Sequence, residues 1–149
     1  MGQIQVRPLA HTDRAVWEQL WQGYLSFYKV ESFSPEVTEA TWQRLLDPHG
    51  PLHGLVAEES GEVLGLVHFL YHPSTWTIGP YCYLQDLFTF PAARRRGVGE
   101  ALIEAVADAA RAQNAARVYW LTQESNAAGR SLYDKVARHL GFIHYLKTL

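Results

Sequence analysis

Cysteine is nearly absent from the 149-residue chain: Cys82 stands alone. That excludes an internal disulfide framework and suits a reducing compartment. Long hydrophobic runs are missing too, and none approaches the ~20 residues needed to cross a bilayer as a helix. Charge of one sign is scarce. Thirteen Lys and Arg against fifteen Asp and Glu leave a net charge of −2, which argues against wholesale electrostatic binding to nucleic acid. There is no repeat, no low-complexity tract, no signal peptide and no Gly-x-x-x-x-Gly-Lys-Ser/Thr phosphate loop. The Met-Gly start lacks the Ser or Thr that myristoylation wants at position 6, where Val6 stands. The expectation is a soluble cytoplasmic protein.

Apolar residues are abundant. At 48% apolar and 19% charged the chain reads as globular, and its length fits a single domain over residues 1–149. Hydrophobic periodicity divides it into elements. "QIQVRPLA" alternates as a strand. Trp17, Leu20, Trp21, Tyr24 and Tyr28 follow helical spacing, with Asp13 as the expected cap, and Ser34-Pro35 opens a second helix. "HGLVAEE", "EVLGLVHFLYH" and "YCYLQDLFTF" read as a meander of three strands. A helix from Val98 to about Asn114, the short strand "RVYWLT", a helix in "GRSLYDKVARHL" and a closing strand "GFIHYLK" complete the order β-α-α-β-β-β-α-β-α-β. This predicts an α/β (α+β) fold with a mixed, largely antiparallel sheet flanked by helices.

The stretch "ARRRGVGEALIEAV" sits where a strand gives way to a helix. The first amides of a helix lack intrahelical partners and lie at the positive end of its dipole. Gly97 and Gly99 allow close approach to that backbone, so the position fits a pyrophosphate, with the arginines adding attraction. A dinucleotide fingerprint fails on spacing, because Leu102 stands where a third Gly or Ala is required. Taken alone, the two glycines read equally well as turn punctuation beside a solvated run of charge.

Context favours the first reading. "YLQDLFTFPAARRRGVGEALI" resembles motif A of the GNAT superfamily of acetyl-CoA-dependent N-acetyltransferases, with Arg94, Gly97 and Gly99 at the patterned positions. "ESNAAGRSLYDKVARHLGF" resembles its motif B, and the likeness spans the whole chain. It is closest to the subgroup containing a yeast histone and D-amino-acid acetyltransferase. The resemblance implies that the fourth and fifth strands part to form a V-shaped cleft. In it, Leu87, Phe88 and Thr89 would pair with the pantetheine arm, and the loop and first turn formed by Arg94, Arg95, Arg96, Gly97, Val98, Gly99 and Glu100 would hold the pyrophosphate. Asn126 would contact pantetheine or order the site. The backbone amide of Leu87 or Phe88 would serve the oxyanion.

Amine acetylation also needs a group to protonate the leaving thiolate and one to receive the amine's proton. By the same resemblance Tyr133 is the acid, although its periodicity equally suits core packing. The related polyamine enzymes carry an acidic pair where this chain has Gln85-Asp86. That leaves Asp86 as a base acting through water, with Glu124 as the second choice, or, alternatively, Asp86 as a strand-end carboxylate with a structural role. By the same resemblance Tyr24, Phe27, Tyr28 and Glu31 are the expected acceptor wall, suited to a cationic amine, although the aromatics equally suit a hydrophobic core with Glu31 in water. The seven histidines show no metal-ligand spacing, and no metal is expected. The implied activity is acetyl transfer from acetyl-CoA to a primary amine, in a homodimer or larger homo-oligomer without nucleic-acid or membrane partners. The alternative is a non-catalytic acyl-CoA-binding module on the same fold.

Overall fold

The computed structural model describes residues 2–149. Strand β1 (Gln5–Pro8) leads through a short 3-10 turn to helix α1 (Arg14–Phe27), followed by α2 (Pro35–Leu46). The meander β2 (His53–Glu59), β3 (Glu62–His72) and β4 (Tyr81–Thr89) precedes α3 (Val98–Ala112), β5 (Arg117–Tyr119) and α4 (Ala127–Val136). The sheet order is β1-β2-β3-β4-β5, antiparallel except for the parallel β4–β5 pair. The expected mixed, largely antiparallel fold is therefore present.

Each face of the sheet buries its own core. Trp17, Leu20, Trp21 and Leu25 of α1, with Trp42 and Leu45 of α2, pack on Val56, Leu66 and Phe88. On the other face Val98, Leu102, Ile103, Val106 and Ala110 of α3 cover Ala57, Val67, Phe69, Cys82 and Leu84. The apolar stripe at helical spacing is what seats α3, each fully buried side chain contributing about 1.5–3 kcal/mol.

Three local expectations need correction. Asp13 does not cap α1. Its carboxylate accepts two hydrogen bonds from the Arg7 guanidinium, at 2.8 and 2.9 Å, and one from the Ala10 amide at 2.8 Å. A bidentate charged partner outcompetes a helix amide. Nor does α4 run through to Leu140: it ends at Val136, and Ala137 is already extended. The closing strand is likewise not formed. Residues 137–149 have no helix or strand, and Phe142, Ile143, Tyr145, Leu146 and Leu149 lie exposed. A strand exists only where its backbone groups find a partner, and among the described residues the far edge of the three-residue β5 carries none.

Candidate active site

β4 and β5 are paired only over Tyr81–Arg117, Cys82–Val118 and Tyr83–Tyr119. Beyond Tyr83, β4 continues to Thr89 hydrogen-bonded to β3, while its outer edge has no strand among the described residues. The two strands thus part as expected, and Leu87, Phe88 and Thr89 lie along the opened edge. β4 then leads through Pro91–Ala93 to the N-terminus of α3.

That N-terminus is preceded by two left-handed residues, Arg95 at φ 64° and Gly97 at φ 82°. Alternation of this kind turns successive amides toward one side and makes a concavity suited to an anion. At Gly97 a Cβ would meet nothing within 4 Å, so glycine is present for its backbone conformation and not for lack of room. The arginines divide their work. Arg94 donates from Nε to the Thr89 carbonyl at 3.3 Å and lies over the rings of Phe27 and Phe88. Arg96 is ion-paired with Glu59. Val98 is buried in the core as the first residue of α3, with Gly99 and Glu100 completing its first turn.

Tyr133 lies on α4, half-buried, with its ring edge-on to Trp120 at 5.5 Å. Burial, then the neighbouring Tyr28 phenol, pushes its own phenol up to about 12, so it is protonated at neutral pH. Asn126 caps α4: its Oδ1 accepts from the Gly129 amide at 3.1 Å, and its Nδ2 donates to Thr122 Oγ1 at 3.0 Å. A Cβ on Gly129 would lie 2.9 Å from Asn126 Cγ. Glycine in this first turn is therefore the space into which the cap folds.

Asp86 is brought to the site by an irregularity that no local pattern in the sequence announces. His68 pairs with Asp86 but Phe69 pairs with Leu84, so Gln85 is an extra residue in β4. The bulge resets the side-chain alternation. Cys82 and Leu84 belong to the α3 core, and strict alternation would send Asp86 there too. Instead Asp86 shares the α1 face with Phe88 and His68. Its Oδ2 is 2.9 Å from His68 Nδ1, and the Tyr24 phenol faces it. Burial first, and then the Asp86 charge, push the Tyr24 phenol well above its ordinary range.

A cavity of about 720 Å³ opens between the end of α1 and the loop after β5, lined by Phe27, Tyr28, Lys29, Gln123, Glu124 and Ser125. A second, of about 330 Å³, runs past Phe27, Phe88 and Arg94. The expected acceptor wall divides accordingly. Phe27 and Tyr28 line the larger cavity, Tyr24 packs on Tyr28 and faces Asp86, and Glu31 is exposed and lines neither cavity. His68 and Trp17 were not expected here. A buried His on the strand opposite Asp86 is visible only once the register is known. Among the described residues no group of three or more His, Cys, Asp or Glu is arranged to hold a metal, and no helix is long and apolar enough to cross a membrane.

Comparison with known proteins agrees with this geometry. Residues 15–142 match the acetyltransferase (GNAT) family. The chain is 36% identical over 136 residues to the D-amino-acid N-acetyltransferase HPA3 of Saccharomyces cerevisiae, covering 90% of this chain and 84% of that one. It is 32% identical over 145 residues to the uncharacterized N-acetyltransferase YhfO of Bacillus subtilis, with 95% of each covered. The fold superposes on a ribosomal-protein-alanine N-acetyltransferase from Brucella melitensis with a TM-score of 0.82 at 21% identity, over 99% of this chain and 100% of that one. With its parted strands, left-handed turn into α3 and matched sequence, this chain belongs to the GNAT family of acetyltransferases.

Proposed function

We propose that the protein transfers the acetyl group of acetyl-CoA to a primary amine by direct attack, the whole chain acting as one catalytic domain. The observation that carries this reading is the parting of β4 from β5 immediately before the left-handed turn into α3. An extended pantetheine arm suits the free edge at Leu87, Phe88 and Thr89, and a pyrophosphate suits the amides from Arg95 to Glu100. Bound there, acetyl-CoA supplies the activated acetyl group. The backbone amide of Leu87 or Phe88 is the hydrogen-bond donor for its carbonyl oxygen, and Asn126 orders the adjoining loop.

The side chains divide the proton work. Tyr133, with its phenol pushed up to about 12, holds the proton that the departing sulfur needs. Asp86 faces the α1 side of the sheet, toward the acceptor, and receives the amine's proton through water. Tyr24, Phe27 and Tyr28 form an aromatic wall for a cationic acceptor; Glu31, further out, attracts such a molecule without touching it. Small amines, amino acids, polyamines and protein lysines all fit this chemistry. The likeness to a D-amino-acid N-acetyltransferase puts amino acids first.

Two elements without a partner among the described residues support self-association: the open edge of β5 and the exposed apolar tail at residues 137–149. A second copy of the chain offers each what it lacks, giving a homodimer. Its buried, free Cys82 suits a cytoplasmic location.

The test is thiol release from acetyl-CoA against a panel of D- and L-amino acids, small amines, polyamines and lysine peptides. Release with one class establishes the enzyme and its acceptor. Tight binding of acetyl-CoA without release across the panel replaces this reading with a non-catalytic binding module, and absence of binding removes both.

A further inference from the structure

His68 is a polar side chain 4% exposed in the middle of β3, and both of its ring nitrogens are engaged. The indole Nε1–H of Trp17 lies 3.0 Å from His68 Nε2. An indole nitrogen can only donate, so Nε2 presents its lone pair and the ring proton resides on Nδ1. That proton points at Asp86 Oδ2, 2.9 Å away. The indole therefore selects the tautomer, and the tautomer gives Asp86 a fixed donor on one oxygen.

The surroundings hold the ring in place. Trp17 and Trp21 pack against the imidazole at centroid distances of 6.1 and 5.5 Å. Trp17 is itself fully buried, stacked on Trp21 and tilted against Trp42. The ionisable groups facing Asp86 are His68 from β3, Tyr24 from α1 and Tyr83 from β4 itself. The bulge at Gln85 is what places the carboxylate opposite His68 in the first place.

We infer that His68, locked as its Nδ1–H tautomer by Trp17, is a positioning residue that fixes the Asp86 carboxylate so that its other oxygen faces the acceptor amine. This rests on the acetyl-transfer reading above. His68 passes no proton itself: its Nε2 lone pair is committed to Trp17, and its Nδ1–H stays where it is while Asp86 takes the proton through water. Such a fixed second partner sets the orientation of the first group, and orientation errors of about 1 Å cost roughly a hundredfold in rate.

Two substitutions separate this role from simple core packing. In His68→Asn the amide nitrogen falls near the place of Nδ1, keeping a donor for Asp86 but leaving the Trp17 N–H unpaired. In His68→Gln the amide reaches the place of Nε2, keeping an acceptor for Trp17 but depriving Asp86. Stability should rank Gln above Asn, because the stranded Trp17 N–H is fully buried, whereas the Asp86 side chain is 13% exposed and keeps the Tyr24 phenol opposite it. Turnover should rank the other way, with His68→Asn within about threefold of wild type and His68→Gln down roughly tenfold to a hundredfold, at unchanged acetyl-CoA affinity. Turnover that follows stability, or is equal in the two variants, overturns the positioning role while leaving the acetyltransferase reading intact. Nitrogen-15 spectra of the wild-type ring provide the independent readout: a protonated Nδ1 and bare Nε2 support the inference, and the opposite tautomer overturns it whether or not an acceptor has been found. A wild-type protein that binds acetyl-CoA and releases no thiol with any acceptor overturns the catalytic reading and this role with it.

Discussion

Replacing Tyr133 by Phe removes one oxygen and little else. The Tyr133 ring packs edge-on against Trp120 and on the α3 side of the core, and phenylalanine keeps both contacts. Folding stability should therefore stay within about 0.5 kcal/mol of wild type. Catalysis should not. A positioned acid is worth about 10²–10⁴ in rate, or about 2.7–5.5 kcal/mol of barrier. With its phenol pushed up to about 12 by burial and Tyr28, Tyr133 is protonated throughout the neutral range, so the loss should be the same from pH 6 to pH 9. The assay is steady-state thiol release alongside calorimetric binding of acetyl-CoA. The expected result is a kcat lowered at least a hundredfold, with binding within about twofold of wild type. A folded Tyr133→Phe protein turning over at the wild-type rate would refute the assignment, and equal losses in rate and binding would make Tyr133 a wall of the coenzyme site and not its acid.

Gly99→Asp should leave the fold standing: the new Cβ meets only the tip of Leu132, at 3.1 Å, and a carboxylate suits a helix N-terminus. Acetyl-CoA binding should weaken on the order of a hundredfold or more, and unaltered calorimetric binding would remove the pyrophosphate from this turn. Asp13→Asn should destabilise by about 2–3 kcal/mol at pH 7, because it breaks a largely buried bidentate pair with the half-exposed Arg7. Arg7 holds the Asp13 carboxyl below its ordinary range, so this contribution is complete above the unfolded-state value near 4 and fades as pH falls through the lower folded one. The gap in melting temperature between wild type and Asp13→Asn should accordingly close on acidification below pH 4; a constant gap would show that the pair's charge is not what stabilises. Gly129→Ala adds about 1 kcal/mol of helix propensity but evicts the Asn126 cap, worth about 0.5–2 kcal/mol. Alone it should fall between about 0.5 kcal/mol stabilising and about 1 kcal/mol destabilising, and on an Asn126→Ala background it should gain the full ~1 kcal/mol, a difference that a thermal double-mutant cycle reads directly.

What could be read from the sequence was local. The stripe Val98, Leu102, Val106, Ala110 writes α3 at helical spacing, and the alternating runs between His53 and Thr89 write the meander. The strand–turn–helix at Gly97 carried the candidate anion site for the same reason, since turn and helix start lie within a few residues. What escaped depended on partners far along the chain. Asp13 has the makings of a cap, yet Arg7 on β1 claims it. Gln85 has nothing to mark it as a bulge, because bulges are settled by pairing with β3. "GFIHYLK" has the composition of a strand, and composition cannot supply an edge. Tyr133 and Asn126 were found through motif resemblance, while His68 and Trp17, brought together from positions 51 residues apart, had no motif to reveal them.

The extra residue at Gln85 means that β4 is written in two frames. Upstream of it, odd positions look one way and even positions the other; downstream the parity is exchanged. Deleting Gln85 would merge the two frames into one: Leu84 and Asp86 would become neighbours, and plain alternation would place them on opposite faces, as they are now. Still paired with β3, Cys82 and Leu84 would keep the α3 layer, and Asp86 and Phe88 the α1 layer, with no bulge between them. The two-residue step from Leu84 to Asp86 is thus compatible with both layers only because Gln85 drops out of the pairing, and a chain lacking Gln85 should keep each side chain in its present layer.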